Sequence, residues 1–326
     1  MIATWSRLTA MIAVGAALSL LAGCGASTTA SALTPTRIIS FGDAFSDVGQ
    51  QGGKKYTVND GSVNNWLNEF ANGFGLAVTP SAVGGTGYAQ GLARVNTSTN
   101  AAGNPGTPSV SQQIDAFLAV DNFGANDVAV INGGVGDIVA EMNAVNAGIE
   151  TTTQMQTNVQ QAGRDLAAQV KRLVASGANY VVVLGTYNLG QTPWATATGQ
   201  TTLLTDTSTQ FNDAMLVPIV SMGKNVLYVD AAYYLNLVSN PLSAPAYGMT
   251  NAVDPVCTSV DSGTGIGIGP GQVNSLLCTP STLVSGATIV GGATIANYTF
   301  ADAMYFTPVV NRLFGDYAYA RVRARW

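Results

Sequence analysis

The chain predicts an α/β domain in which a parallel sheet carries helices on both faces. Short apolar runs rich in Val and Ile alternate with segments whose apolar residues recur every three or four positions. That alternation is the pattern of strands joined by crossover helices. Hydrophobic residues make up 47% of the 326 residues and charged residues only 10%, so a large core is easily filled. No internal repeat or second boundary divides the chain after its N-terminal region, and one domain over 36–326 is expected.

The first residues read as a targeting segment, expected over 1–23. Arg7 supplies a positive start, and an apolar stretch over 8–22 is short for a membrane span but right for a signal peptide. It ends in Leu21-Ala22-Gly23-Cys24, which resembles a bacterial lipobox. That resemblance makes Cys24 the lipidated first residue of the mature chain, with a cleaved signal and an incidental cysteine as the alternative. Gly25 follows rather than Asp, which by the same resemblance points to the outer membrane, facing periplasm or surface. Residues 24–35 then form a Ser-, Thr- and Ala-rich tether, and lipid chains would hold the protein at the membrane.

The elements follow in order. Residues 37–41 are a strand, and 65–74 a helix with Trp66, Leu67, Phe70 and Phe74 at core spacing. Residues 111–120 form a second helix, with Ser111 as its N-cap. A short buried strand is expected at 128–132. The strongest helical pattern covers 152–176, where Met155, Val159, Ala162, Leu166, Val170 and Leu173 recur on one face. Then come a strand at 180–184, a helix at 203–222, a strand at 226–230, a helix at 231–238 and a last helix at 308–323.

Cys257 and Cys278 remain after Cys24. In an oxidising compartment two such cysteines most simply form a disulfide. It would close a loop holding Gly263, Gly265, Gly267, Gly269 and Gly271, for a gain of roughly 3 kcal/mol. Metal binding is the alternative, and it lacks both a histidine and a CxxC pair. The net charge of −5 carries no basic stripe, which argues against nucleic acid as a partner. Arg312, Arg321, Arg323 and Arg325 read as the solvated face of the last helix.

The chemistry centres on Ile38-Ile39-Ser40-Phe41-Gly42-Asp43-Ala44-Phe45-Ser46-Asp47. A strand runs into Gly-Asp, a small residue and a polar helix start. Such a turn would present a serine hydroxyl at the strand's carboxyl end, but Ala44 has none. The chain also contains no histidine, and a Ser-His mechanism cannot run without an imidazole. In open α/β sheets, ligands bind outside the carboxyl ends of the strands. The turns at 42–46 and 133–137 should therefore lie close together, with 302–307 reaching the same rim.

Set together, these segments resemble the GDSL or SGNH family of ester hydrolases, over about 36–323. The likeness rests on the turn just quoted, on Gly84-Gly85-Thr86-Gly87-Tyr88-Ala89-Gln90-Gly91-Leu92-Ala93-Arg94-Val95, and on Ile131-Asn132-Gly133-Gly134-Val135-Gly136-Asp137-Ile138. It rests also on Asn188-Leu189-Gly190-Gln191-Thr192-Pro193 and Phe300-Ala301-Asp302-Ala303-Met304-Tyr305-Phe306-Thr307-Pro308. The resemblance implies a three-layer, flavodoxin-like fold around a parallel sheet. It puts Ala44 at the nucleophile position, Leu92 and Gly136 at the oxyanion-hole glycine and asparagine, and Tyr305 at the histidine. Asp302 alone keeps the family's residue type.

Each replacement has a chemical meaning. Ala44 and Leu92 keep backbone N–H donors, but Ala44 cannot attack and the Leu92 side chain would crowd an acyl pocket. Losing one side-chain amide donor, as at Gly136, costs on the order of 10²–10³ in rate. An unperturbed tyrosine, with a pKa of about 10, is a poor base at neutral pH. Gly124-Ala125-Asn126-Asp127 imitates the third block but precedes its strand, so it reads as a turn at the opposite sheet end. Ser46 as a substitute nucleophile, Lys54 or Lys55 as its base, and Asp43, Asp137 and Asp302 as paired carboxylates are the rescue mechanisms to weigh.

The expected protein is thus a lipid-anchored envelope protein with an ester-hydrolase fold and no family mechanism. It needs no cofactor or metal, and its ligand would be a lipid, acyl group or glycan. An active ester hydrolase with an altered site and a structural envelope lipoprotein are the alternatives. A polar open cleft would favour binding, and one plugged by Leu92, Tyr305 and Phe306 a structural role.

Overall fold

Four short strands, all parallel, make the centre of the molecule. β1 (Ile38–Phe41), β2 (Val128–Ile131), β3 (Tyr180–Val183) and β4 (Val226–Tyr228) pair in that order. Every residue of β1 and β2 is buried, as expected where both sheet faces are covered and strands are apolar throughout rather than alternating. The registers Ile38↔Val128, Val128↔Tyr180 and Val181↔Val226 leave the carboxyl ends on one edge. Beside β1 on its outer side, Gly87 bridges Ser40 in parallel. There the Ser40 N–H donates to the Thr86 carbonyl, and the Tyr88 N–H to the Ser40 carbonyl. Chain order therefore reverses between β1 and β2, the switch point at which flavodoxin-like sheets open a crevice.

The computed structural model describes residues 32–286 and 297–326. The expected signal peptide, the Cys24 lipidation site and the tether through residue 31 lie outside the described residues. Leu33–Trp326 forms a single compact unit.

Two groups of helices pack on the sheet. α1 (Trp66–Gly73) and α7 (Ala231–Ser239) both pack on α8 (Pro308–Arg325). α2 (Val110–Leu118), α3 (Val135–Asn146), α4 (Thr152–Ala175) and α6 (Thr201–Leu216) form the other group. The α4 stripe from Met155 to Leu173 is buried as its spacing predicts. α1 begins at Asn65, whose side chain accepts from the Leu67 N–H.

Several boundaries differ from expectation for local reasons. The cap of α2 is Ser109, not Ser111: Gln112 stands three residues on, so side chain and backbone cap each other reciprocally. β4 stops at Tyr228, because Asp230 turns to cap α7 by accepting from the Tyr233 N–H. The helix expected over 203–222 begins at Thr201 and tightens into a 3₁₀ turn at Val217–Met222, where Pro218 has no N–H to give. α3 was legible only as a turn, and α5 (Pro193–Thr198) gave no periodic signal.

A smaller cap lies after α7. β5 (Asn251–Pro255) pairs in parallel with β8 (Tyr298–Phe300), and β6 (Val260–Asp261) pairs antiparallel with β7 (Gln272–Val273). Cys257 and Cys278 are joined as a disulfide with Cα atoms 5.8 Å apart, closing the glycine-rich loop. The Asn104 side chain donates to Thr264 Oγ1, and Asn143 to the Gly267 carbonyl. These bonds seat the loop against the 100–107 segment and against α3.

Candidate functional site: a closed reaction centre beneath a polar pocket

The turn after β1 is held from three sides. Gln113 of α2 clamps Gly42 reciprocally, accepting its N–H at 2.7 Å and donating to its carbonyl at 2.9 Å. A Cβ on Gly42 would stand 1.7 Å from Asn132 Oδ1, so only glycine fits where the two post-strand turns touch. Asn132, at the end of β2, donates to Asp43 Oδ1 at 2.7 Å, and the Phe45 N–H donates to the same oxygen at 3.0 Å. Burial raises the Asp43 pKa against these hydrogen bonds.

Asp47 fastens this turn to the second block. Its Oδ1 accepts from the Gly49 and Gln50 N–H groups, and its Oδ2 accepts from the Gly91 N–H at 2.8 Å. Burial pushes its pKa up to about 6. Asp137, in the first turn of α3, fastens the same block from the other side. It accepts from Arg94 Nε at 3.2 Å and the Val95 N–H at 3.1 Å, and burial raises it to about 6 against the Arg94 charge.

Between those fastenings the chain folds inward. Leu92 has φ +61°, the only non-glycine residue with positive φ among the described residues. L-residues adopt that region at a cost of about 1–2 kcal/mol. A Cβ on Gly136 would meet the Ala93 carbonyl oxygen at 2.2 Å. The Ala93 backbone thus occupies the space where a side chain at 136 would start.

Asp302 is fully buried and serves its own turn. Oδ1 accepts from the Met304 and Tyr305 N–H groups at 2.8 and 2.7 Å, and Oδ2 from the Ser275 N–H at 3.0 Å. Burial raises its pKa. Tyr305 is buried with its ring 5.0 Å from that of Tyr56. Its hydroxyl pKa is raised well above the usual tyrosine range, first by burial and then by Tyr187 and Asp43 nearby. Tyr187 donates to the Met304 carbonyl at 3.0 Å, and Phe306 is buried 4.9 Å from the Tyr187 ring.

Tyr56 closes this centre from outside. A Cβ on Gly91 would lie 2.1 Å from the Tyr56 hydroxyl, so the ring lies across the second block. Above Tyr56 and Leu92 opens a pocket of about 400 Å³, walled by the 100–107 segment on one side and the disulfide-closed loop on the other. Ala44, Gly136, Asp302 and Tyr305 do not line it. Tyr56 and Gln113 had no motif to reveal them, and Asp47 and Asn132, though inside the quoted blocks, act through contacts distant in sequence.

The rescue mechanisms lose their geometry. Ser46 is fully buried, and its hydroxyl has no hydrogen-bond partner among the described residues, hence no base within reach. Lys55, weighed as a base for Ser46, is half-buried with its Nζ donating to Asn64 Oδ1 at 2.9 Å, and burial lowers its pKa. Lys54 is exposed. Asp137 is held by Arg94 and the Val95 N–H, Asp302 by three backbone N–H groups, and Asp43 Oδ1 by Asn132 and the Phe45 N–H, so no two of them form a carboxylate pair by hydrogen bond. The imitation at 124–127 lies at the other sheet end, where Asp127 accepts from Arg37, Thr36 Oγ1 and the Gly124 N–H.

A sequence model of GDSL-like lipase/acylhydrolase matches residues 38–318, and the chain belongs to that family. A Pseudomonas putida protein described as an uncharacterized protein in the trpE-trpG intergenic region is 26% identical over 317 residues. The match covers 89% of this chain and 49% of that protein, so the chain spans about half the length of its curated relative. One solved crystal structure superposes at a TM-score of 0.43 with 15% identity, covering 88% of this chain and 96% of its own. Another gives 0.34 with 14% identity, over 61% and 84%.

Proposed function

We propose that this chain is an envelope lipoprotein that keeps the ester-hydrolase fold, has lost the family's Ser-His-Asp chemistry, and uses its crevice to bind a ligand. The observation that carries the reading is the closed reaction centre. Where the nucleophile is expected there is a buried alanine, Ala44, and where the base is expected there is the buried Tyr305. A hydroxyl pushed well above its usual range takes no proton at neutral pH. Without nucleophile and base, only binding and backbone donors are left. Anchoring through Cys24 at the outer membrane belongs to the same reading, supported by Leu21-Ala22-Gly23-Cys24 and the Gly25 after it.

A second reading, a structural envelope protein with no small ligand, is favoured by the plug of Leu92, Tyr305 and Phe306. Against it stands the polar pocket that persists above the plug. An active hydrolase using Ser46 has no geometric support.

The test is hydrolysis of p-nitrophenyl butyrate and palmitate by the full chain, together with labelling by a fluorophosphonate. Neither turnover above buffer nor label incorporation is expected. Robust turnover by the unaltered chain would sink the reading. Incorporation of labelled palmitate into the chain, abolished by Cys24→Ser, tests the anchor.

A further inference from the structure

We infer that the pocket over Tyr56 and Leu92 is a binding site for a neutral oligosaccharide, half of it built by the disulfide-closed loop. This rests on the non-hydrolytic reading above and names its ligand. The volume of about 400 Å³ falls in the range of small-molecule sites, enough for a short sugar chain.

The lining chemistry selects the ligand. No lysine or arginine lines the pocket among the described residues, while the Asp261 carboxylate does. An anionic sugar or phosphate would face an uncompensated negative charge there. Most of the lining surface is carboxamide, hydroxyl or backbone, and an acyl chain would leave those groups dry and unpaired. Hydroxyl-bearing sugars instead offer a donor and an acceptor at each ring position.

Groups to receive them are free. The Gln51 and Gln90 carboxamides and the Tyr56 hydroxyl line the pocket and make no side-chain hydrogen bond to another described residue there. The other amides are already committed and act as frame: Asn104 holds Thr264, and Asn274 holds Asp261. The edges of the largely buried Tyr56 and Leu92 form the floor, Leu92 in a strained conformation. Such strain clusters at binding sites because the surroundings must over-determine it.

The experiment begins with the full chain in a zwitterionic detergent lacking a sugar headgroup. It is applied to an array of neutral and uronic-acid oligosaccharides, followed by calorimetry with the best neutral binder and with octanoate. Neutral sugars should bind, and uronic acids and octanoate should not. Gln51→Ala and Gln90→Ala break no described side-chain bond, and each should weaken Kd by about five- to tenfold. Gln51→Trp, which fills the mouth, should abolish binding while the thermal melt stays that of the parent. Absence of any neutral binder, preference for uronic acids or octanoate, or indifference to all three substitutions would overturn the site. Ester hydrolysis by the same preparation with sugar binding intact would overturn the non-hydrolytic reading and leave the sugar site standing.

Discussion

Replacing Gly136 with alanine puts a methyl group where the Ala93 carbonyl oxygen already stands. On an ordinary helix the change would help, because alanine is favoured over glycine by about 1 kcal/mol. Here the new Cβ would lie 2.2 Å from the Ala93 oxygen and 3.1 Å from that of Leu92. Both are backbone atoms, so the loop itself must retreat by roughly an ångström. That loop is fastened by the Ala101 N–H on the Leu92 carbonyl, the Ala93 N–H on Gln90, and the Val95 N–H on Asp137. Overpacking costs about 1–3 kcal/mol, and each strained hydrogen bond about 0.5–1.5 kcal/mol. The propensity gain is outweighed, leaving a net loss of about 2 kcal/mol. In a chain this size that lowers Tm by about 4 °C. The assay is urea and thermal unfolding beside Gly223→Ala, whose Cβ would meet nothing nearer than 3.9 Å. Adding Leu92→Gly should recover part of the loss by freeing the loop, a coupling visible in a double-mutant cycle. Parental stability for Gly136→Ala would refute the closed centre.

Other outcomes follow from the same geometry. Ala44→Ser with Tyr305→His should give no esterase turnover, since both positions are buried and Tyr305 packs against Tyr56; measurable turnover from this pair alone would refute the plug. Asp47 and Asp137 are raised from 3.8 to about 6 in the folded chain. Between those values the folded state binds more protons than the unfolded one, so stability falls as pH rises. At 1.36 kcal/mol per pKa unit, each acid contributes up to about 2–3 kcal/mol, and Asp43 and Asp302 act in the same direction. Melts should show a higher Tm at pH 4.5 than at 7.5, and a flat profile would refute it. Cys257→Ser with Cys278→Ser should lower stability by roughly 3 kcal/mol in urea.

Much of this protein was already determined by short-range pattern. The Val and Ile runs at 128–131 and 180–183 could only be two-sided buried strands, and the stripe from Met155 to Leu173 could only be one helix face. These follow from the periodicities of the backbone itself. The absent histidine and the alanine at 44 were equally plain, because they are chemical facts that no folding alters. α3 escaped notice because Gly133-Gly134 reads as a breaker and the small residues after it carry little period. Packing on α4 and the pairing of Asp137 and Glu141 with Arg94 supply what the pattern lacks.

Only the tertiary structure decided that the centre is shut. Nothing in the residue types says that the Ala93 carbonyl would press on Gly136, that Tyr56 would lie over Gly91, or that Asp302 would turn to Ser275. Those contacts depend on the paths of loops between strands, which helical and strand periods do not encode. The sequence by itself placed an alanine at 44 and no histidine anywhere; the fold decided that Ala44 and Tyr305 are buried and that a polar pocket opens over Tyr56 and Leu92.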